Sequence, residues 1–278
     1  MKKTNNIPFS VCMSVYKNDN PSDVLTALRS ISTAQTVQPT EIILVVDGPI
    51  PKELDKTIND FSKGYATLTL LRLKVNQGHA IARQTAIDAS SCEWIAIMDS
   101  DDIARPDRFE KQLNYIASHP QVDILGGQIE EFIGSPDNIV GKREVPLQDS
   151  DIKQYLKARC PMNFVTIMAK KQAIVNAGGI IDWYCEEDYY LWIRLALQNA
   201  VFANCPETLV DVRVGAEMYQ RRGGWKYFKS ERGIQRYMWK HHLISFPRYV
   251  YNVLGRFVVQ VLMTNKVRSF VFQKLFRK

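Results

Sequence analysis

Four short apolar runs, Phe9–Tyr16, Glu41–Asp47, Thr67–Leu73 and Trp94–Asp99, alternate with stretches of helical spacing at Pro21–Ala34, Pro51–Ser62, Gly78–Ser90 and Pro106–Ser118. Apolar runs this short, bounded by turn formers, read as buried strands. Three of the helical stretches open on proline, which a first turn accepts because its N–H would be unbonded anyway. Strand, helix, strand repeated in this way returns the chain to the same sheet in the same direction. The expected fold is therefore α/β, a mostly parallel, Rossmann-like central sheet flanked by helices, with ligands at the carboxyl ends of its strands. Val122–Phe132 reads as a fifth strand. Beyond it the pattern turns irregular through Gly134, Pro136, Gly141 and Pro146, then resumes with a strand at Phe164–Ala169 and a helix at Asp188–Asn199.

Composition narrows the class. With 278 residues, 46% hydrophobic and 23% charged, the chain is neither fibrous nor disordered. Its five cysteines are scattered and form no CxxC pair, which argues against a disulfide scaffold or a zinc ribbon. Met1–Phe9 has no apolar segment of secretory type, and no uncharged apolar run reaches the ~18 residues of a membrane span. These features read as cytoplasmic.

The net charge of +7 hides two opposite halves: −6 over residues 1–220 and +13 over residues 221–278. The boundary divides an acidic body, 1–220, from a basic tail, 221–278. In the tail, Arg248, Asn252, Arg256, Gln260 and Thr264 recur every four residues and form one slowly turning polar stripe on a helix otherwise made of Tyr, Val, Leu, Phe and Met. Such a helix suits an anionic membrane interface; docking on the chain's own core is the plainer reading. A net negative body is wrong for gripping a nucleic-acid backbone, so no nucleic-acid partner is expected.

The chemistry-bearing residues lie at strand ends. Trp94–Met98 runs into Asp99, Asp101 and Asp102, three carboxylates whose mutual repulsion a divalent cation would relieve; a solvated acidic turn is the plainer reading. Asp47 ends the second strand before Gly48-Pro49, and Ser14-Val15-Tyr16 ends the first. Asp47 can accept hydrogen bonds from a base or ribose, or simply shape its turn. Asn76-Gln-Gly-His-Ala-Ile-Ala-Arg83 opens a helix whose N-terminus favours anions, with Arg83 within reach of a phosphate or of an acidic loop. Glu186, Glu187 and Asp188 precede an aromatic helix, either as favourable charges at its start or as a general base beside a cleft. A phosphatase with an aspartate nucleophile also ends a strand in DxD, but here that strand is the fourth and Ile103 stands where such enzymes carry Thr or Val.

Taken in order, SVY (14–16), the strand ending at Asp47, NQGHAIARQ (76–84), DSDD (99–102) and Glu187-Asp188 resemble the family 2 glycosyltransferases over residues 8–220. The resemblance implies the GT-A fold, to which the C-terminal amphipathic helical tail is added, and inverting transfer from a UDP-sugar. It implies that Ser14, Val15, Tyr16, Asp47, Asn76, Arg83 and Asp99 hold the nucleotide, and that Asp101 ligates Mn²⁺ or Mg²⁺. Asp188 would be the base, with Glu187 orienting it or the acceptor. Arg221, Arg222 and Trp192 are candidates for diphosphate or acceptor contact. Phe164 stands where relatives often carry His, and takes no assigned role. The absence of QxxRW and of spanning helices implies transfer of one hexose, galactose or glucose, rather than polymerisation. The implied acceptor is a polyprenyl-diphosphate-linked sugar, GlcNAc-diphosphoundecaprenol, giving a β-1,3 linkage in O-antigen or capsule assembly. The enzyme would sit peripherally on the inner face of the bacterial inner membrane.

Overall fold

The computed structural model describes residues 7–215 and 223–263. The strands are β1 (Phe9–Val15), β2 (Glu41–Val46), β3 (Leu68–Arg72), β4 (Trp94–Met98), β5 (Ile103–Ala104), β6 (Ile124–Phe132), β7 (Ile139–Arg143), β8 (Met168–Lys170) and β9 (Phe202–Arg213). They form one sheet in the order β3-β2-β1-β4-β8-β6-β9-β5, with β7 paired to β6. The first four are mutually parallel, as the strand–helix alternation predicts. The sheet then turns mixed: β8 runs antiparallel to both β4 and β6, while β6 and β9 are parallel.

Alternation along each strand builds two cores. Phe9, Val11, Met13 and Val15 of β1, with Trp94, Ala96 and Met98 of β4, pack against α1 (Pro21–Ser30), α2 (Lys52–Gly64) and α4 (Arg108–Ser118). Cys12, Ile95 and Ile97 face the other layer, built from α3 (His79–Ala89), α5 (Asp149–Leu156) and α7 (Glu187–Leu197). Burial on both faces explains the nearly unbroken apolar runs. The chain steps outward from β1 to β2 to β3, then returns to place β4 beside β1. That reversal opens a crevice at the carboxyl ends of β1 and β4, where parallel α/β sheets bind ligands.

One expected strand is corrected. The segment 164–169 is not one strand: Phe164–Thr166 forms a 3₁₀ turn and only Met168–Lys170 joins the sheet. Asn163 drives this, because its carbonyl accepts from both the Thr166 amide (2.9 Å) and hydroxyl (2.7 Å). The fifth expected strand forms as Ile124–Phe132, separated from β4 by β8.

The C-terminal helices α8 (Gly224–Lys240) and α9 (Phe246–Phe257), followed by a π-helical turn at Val258–Leu262, pack onto the body. Ile234 and Met238 of α8 enter the second core. The polar stripe of α9 faces inward. Asn252 donates to the Lys157 carbonyl (2.9 Å) and to Gln235 Oε1 (2.7 Å). Arg256 donates to the Ala158 carbonyl (2.6 Å) and pairs with Glu231. Gln260 is buried, Arg248 is exposed, and Thr264 lies outside the described residues. The apolar face therefore points outward, leaving Tyr251 71%, Leu254 60% and Leu262 63% exposed. The expected boundary at residue 220 falls within 216–222, also outside the described residues. Among the described residues, no helix is long and apolar enough to cross a membrane.

Candidate active site

The strand tips of β1, β2 and β4 meet at one rim. At the end of β2, the buried Asp47 organises the neighbouring loop. Its Oδ2 accepts from Asn76 Nδ2 (2.9 Å) and the Gly78 amide (2.9 Å), and its Oδ1 accepts from the Gln77 amide (2.7 Å). Three donors leave one of a carboxylate's roughly four lone-pair directions open. Gly48 makes this close approach possible: at φ +83° it sits where a Cβ would lie 2.5 Å from the Asn76 nitrogen. At the end of β1, Ser14 and Tyr16 are half-buried, and the Tyr16 ring meets His79 edge-on at 5.8 Å. Val15 is different: its side chain is 1% exposed and belongs to the core, so only its backbone can contribute to a ligand site.

Arg83 joins the two halves of the site. From the first turns of α3 it donates Nη2 to Asp99 Oδ1 (2.7 Å) and Nη1 to Glu187 Oε1 (3.2 Å). Burial alone would lower its proton affinity; Asp99 and Glu187 outweigh burial and raise it. Its guanidinium lies over the Phe164 ring at 4.8 Å, and that ring packs on Trp192 at 5.8 Å. Phe164 is thus a platform under the bridging arginine, a role that periodicity could not reveal. Trp192 itself is fully buried, which corrects its candidacy as an acceptor contact: it supports the site from below. Arg221 and Arg222 lie outside the described residues.

The acidic turn after β4 is held under electrostatic tension. Asp101 stands exposed at the cleft, where desolvation by the walls, then the charges of Asp99 and Asp19, push its carboxyl up to about 6. Asp19 was not legible as a site residue. Its Oδ2 accepts from the Tyr16 amide (2.9 Å) and from Ser100 Oγ (2.9 Å), which ties β1's exit to the turn. Asp102 is buried and raised further by burial and by Asp101; its Oδ1 accepts from the Arg213 amide (2.8 Å). Arg213 also donates to the Asp101 carbonyl (3.1 Å) and pairs with Asp23 of α1 (2.9 Å), clamping the turn from behind.

Across the cleft, Asp188 occupies the first turn of α7. Its Oδ1 accepts from the Tyr189 amide (2.6 Å) and its Oδ2 from the Cys160 thiol (3.4 Å). Burial and the Asp188 charge raise the Cys160 thiol, keeping it a proton donor to this carboxylate. Burial and then Asp188 also raise Glu187, against the pull of Arg83.

Among the described residues, no three His, Cys, Asp or Glu side chains are gathered to hold a metal by themselves. The donor set nevertheless fits a hard divalent cation. Mg²⁺ and similar ions take one or two carboxylates and complete their shell with phosphate oxygens and water, and Asp101 stands exposed for such a role.

A crevice at a topological switch point, with a carboxylate turn after β4 and the Glu187-Asp188 pair at the start of α7, is the architecture of an α/β group-transfer enzyme. Residues 10–178 match the model of Glycosyl transferase family 2. An uncharacterized glycosyltransferase of Haemophilus influenzae is 36% identical over 97% of this chain and 99% of its own length. The UDP-Gal:alpha-D-GlcNAc-diphosphoundecaprenol beta-1,3-galactosyltransferase of Escherichia coli is 33% identical over 97% of both chains. The crystal structure of S. aureus TarS 1-349 in complex with UDP-GlcNAc superposes with a TM-score of 0.63 at 16% identity, over 96% of this chain and 76% of that one. This chain belongs to glycosyltransferase family 2 and has the GT-A fold.

Proposed function

We propose that the enzyme moves a single hexose, galactose or glucose, from a UDP-sugar to a polyprenyl-diphosphate-linked GlcNAc, with inversion and a β-1,3 linkage, in assembly of an O-antigen or capsule repeat unit. The observation that supports this reading is the Arg83 bridge, in which one guanidinium pairs with Asp99 after β4 and with Glu187, the neighbour of Asp188. The activity named for the E. coli relative supports the donor and acceptor classes.

In this reading Ser14, Tyr16, Asn76 and the open lone pair of Asp47 face the nucleotide base, and Asp99 faces the ribose. Asp101, with Asp99 beside it, would hold Mn²⁺ or Mg²⁺, which neutralises charge developing on the departing diphosphate. Asp188 takes the proton from the acceptor hydroxyl as that oxygen attacks the anomeric carbon. The carbon–oxygen bond to UDP breaks with its electron pair leaving on UDP, so one displacement inverts an α-linked donor to a β-linked product. A positioned carboxylate base contributes roughly 10²–10⁴-fold. The Cys160 thiol and the Tyr189 amide hold Asp188 in place.

The outward apolar face of α9 and the basic tail support a peripheral position on the anionic inner leaflet, within reach of a lipid-borne acceptor. The test is a panel of UDP-sugars offered with a GlcNAc-diphosphate-lipid analogue, the product linkage being read by NMR. A β-1,3-linked hexose is expected; an α-linked product, or transfer only to water, rejects the reading.

A further inference from the structure

Between α9 and the turn at residues 157–160 lies a cavity of about 480 Å³, the size of a small-molecule site. Cys160 and Asp188 stand on its wall, so it is continuous with the base side of the cleft. The nearest candidates for recognising a ligand here are arginines: Arg143, Arg159, Arg248 and Arg256 all line it.

Their surroundings differ. Arg256 is committed to Glu231 and to the Ala158 carbonyl. Arg143 donates Nη2 to the Cys160 carbonyl (2.8 Å), and Arg248 lies near the Tyr251 ring at 5.9 Å. Among the described residues, neither Arg143 nor Arg248 is ion-paired with a carboxylate. The wall acids Glu231 and Glu186 are engaged elsewhere, by Arg256 and by the Tyr227 hydroxyl (2.5 Å) respectively. Two guanidiniums from separate elements offer paired N–H donors that match phosphate oxygens. Tyr251 and Val259 on the same wall lead to the exposed apolar surface at Leu254 of α9 and Val258 of the π-helical turn. Read outward from Asp188, the cavity offers a proton acceptor, then cations, then hydrocarbon.

We propose that this cavity is the seat of an isoprenoid diphosphate: Arg143 and Arg248 hold the diphosphate, the linked sugar reaches Asp188, and the hydrocarbon leaves over Tyr251, Leu254 and Val258. The proposal rests on the acceptor reading above and deepens it by naming the residues that bind the lipid diphosphate. It also gives the inward stripe of α9 a purpose. Asn252 and Arg256 grip the carbonyls of Lys157 and Ala158 and so fix the turn that carries Cys160.

The test is binding of farnesyl diphosphate to the full-length protein saturated with UDP, which blocks the donor diphosphate site. Farnesyl diphosphate should bind, farnesol and inorganic pyrophosphate should each bind at least tenfold more weakly, and short-chain phosphatidylglycerol should not displace it. R143Q and R248Q should each weaken binding about tenfold, with UDP affinity unchanged. Arg248→Lys should recover part of the loss. R248Q removes an exposed side chain that bears no hydrogen bond to the fold, so it remains informative if R143Q misfolds. Pyrophosphate competing as well as farnesyl diphosphate, full displacement by phosphatidylglycerol, or R248Q binding like wild type would overturn the assignment. Because this assay involves no turnover, its failure is distinct from failure of the sugar-transfer reading, which the UDP-sugar panel tests.

Discussion

Replacing Asp101 by Asn should make the free enzyme more stable while removing its use of a cation. The folded protein raises the Asp101 carboxyl from the ordinary carboxylate range to about 6, through desolvation in the cleft and the charges of Asp99 and Asp19. A raised acid binds its proton more tightly folded than unfolded. Its contribution to stability is therefore greatest below about pH 4 and is lost as pH climbs through 6. A rise of this size corresponds to about 3 kcal/mol at full strength. Asp101 is exposed, and solvent screening reduces this to on the order of 1 kcal/mol. In a chain of this length that is about 2 °C in Tm. D101N should thus melt about 2 °C above wild type at pH 7.5 without ligand, and level with it near pH 4. Mn²⁺ with UDP should raise the Tm of wild type and leave D101N unmoved. Differential scanning fluorimetry across this pH range decides the matter. A variant that melts below wild type at pH 7.5, or one still stabilised by Mn²⁺ with UDP, would show that Asp101 neither carries this charge penalty nor holds the cation.

Arg83→Met should break the bridge between Asp99 and Glu187; the stranded carboxylates should cost about 2–3 kcal/mol in urea denaturation, and turnover should fall at least a hundredfold, on the scale of removing one preorganised charge-stabilising donor. Phe164→Ala should remove the platform under Arg83 and cost about 1 kcal/mol of cation–π contact, seen as a higher KM for the donor with the fold intact by circular dichroism. Leu254→Glu with Leu262→Glu should leave the Tm near wild type, because both side chains point outward, yet abolish co-sedimentation with phosphatidylglycerol-rich vesicles. Asn252→Leu should act oppositely, lowering stability by about 1–3 kcal/mol by leaving the Lys157 carbonyl and Gln235 without their partner.

The parallel half of the fold was legible because both faces of β1, β2 and β4 are covered, so each strand announces itself as an apolar run with a polar end. Periodicity also found the polar stripe on α9. It could not say which way the stripe faces, because the carbonyls that satisfy Asn252 and Arg256 come from residues 157 and 158, about a hundred positions away. Asp19 and Cys160 escaped for a related reason: each belongs to the site through one tertiary contact, to Ser100 and to Asp188 respectively, and neither sits in a spaced pattern. Trp192 shows the converse error. An aromatic residue one turn beyond a candidate base reads as a sugar contact, yet helical spacing turns it into the core under Phe164. β8 was misjudged because a three-residue strand is too short to separate from the turn stabilised by Asn163.

The enzyme is proposed to hold a nucleotide-sugar on the Asp99 side of its cleft and to use Asp188 as the proton acceptor. Titration calorimetry and single-turnover transfer on Asp188→Asn test it together. UDP-sugar affinity should equal wild type, with transfer lowered by at least a thousandfold, within the range of a general base. Transfer at a wild-type rate, or loss of donor affinity in step with transfer, would contradict it.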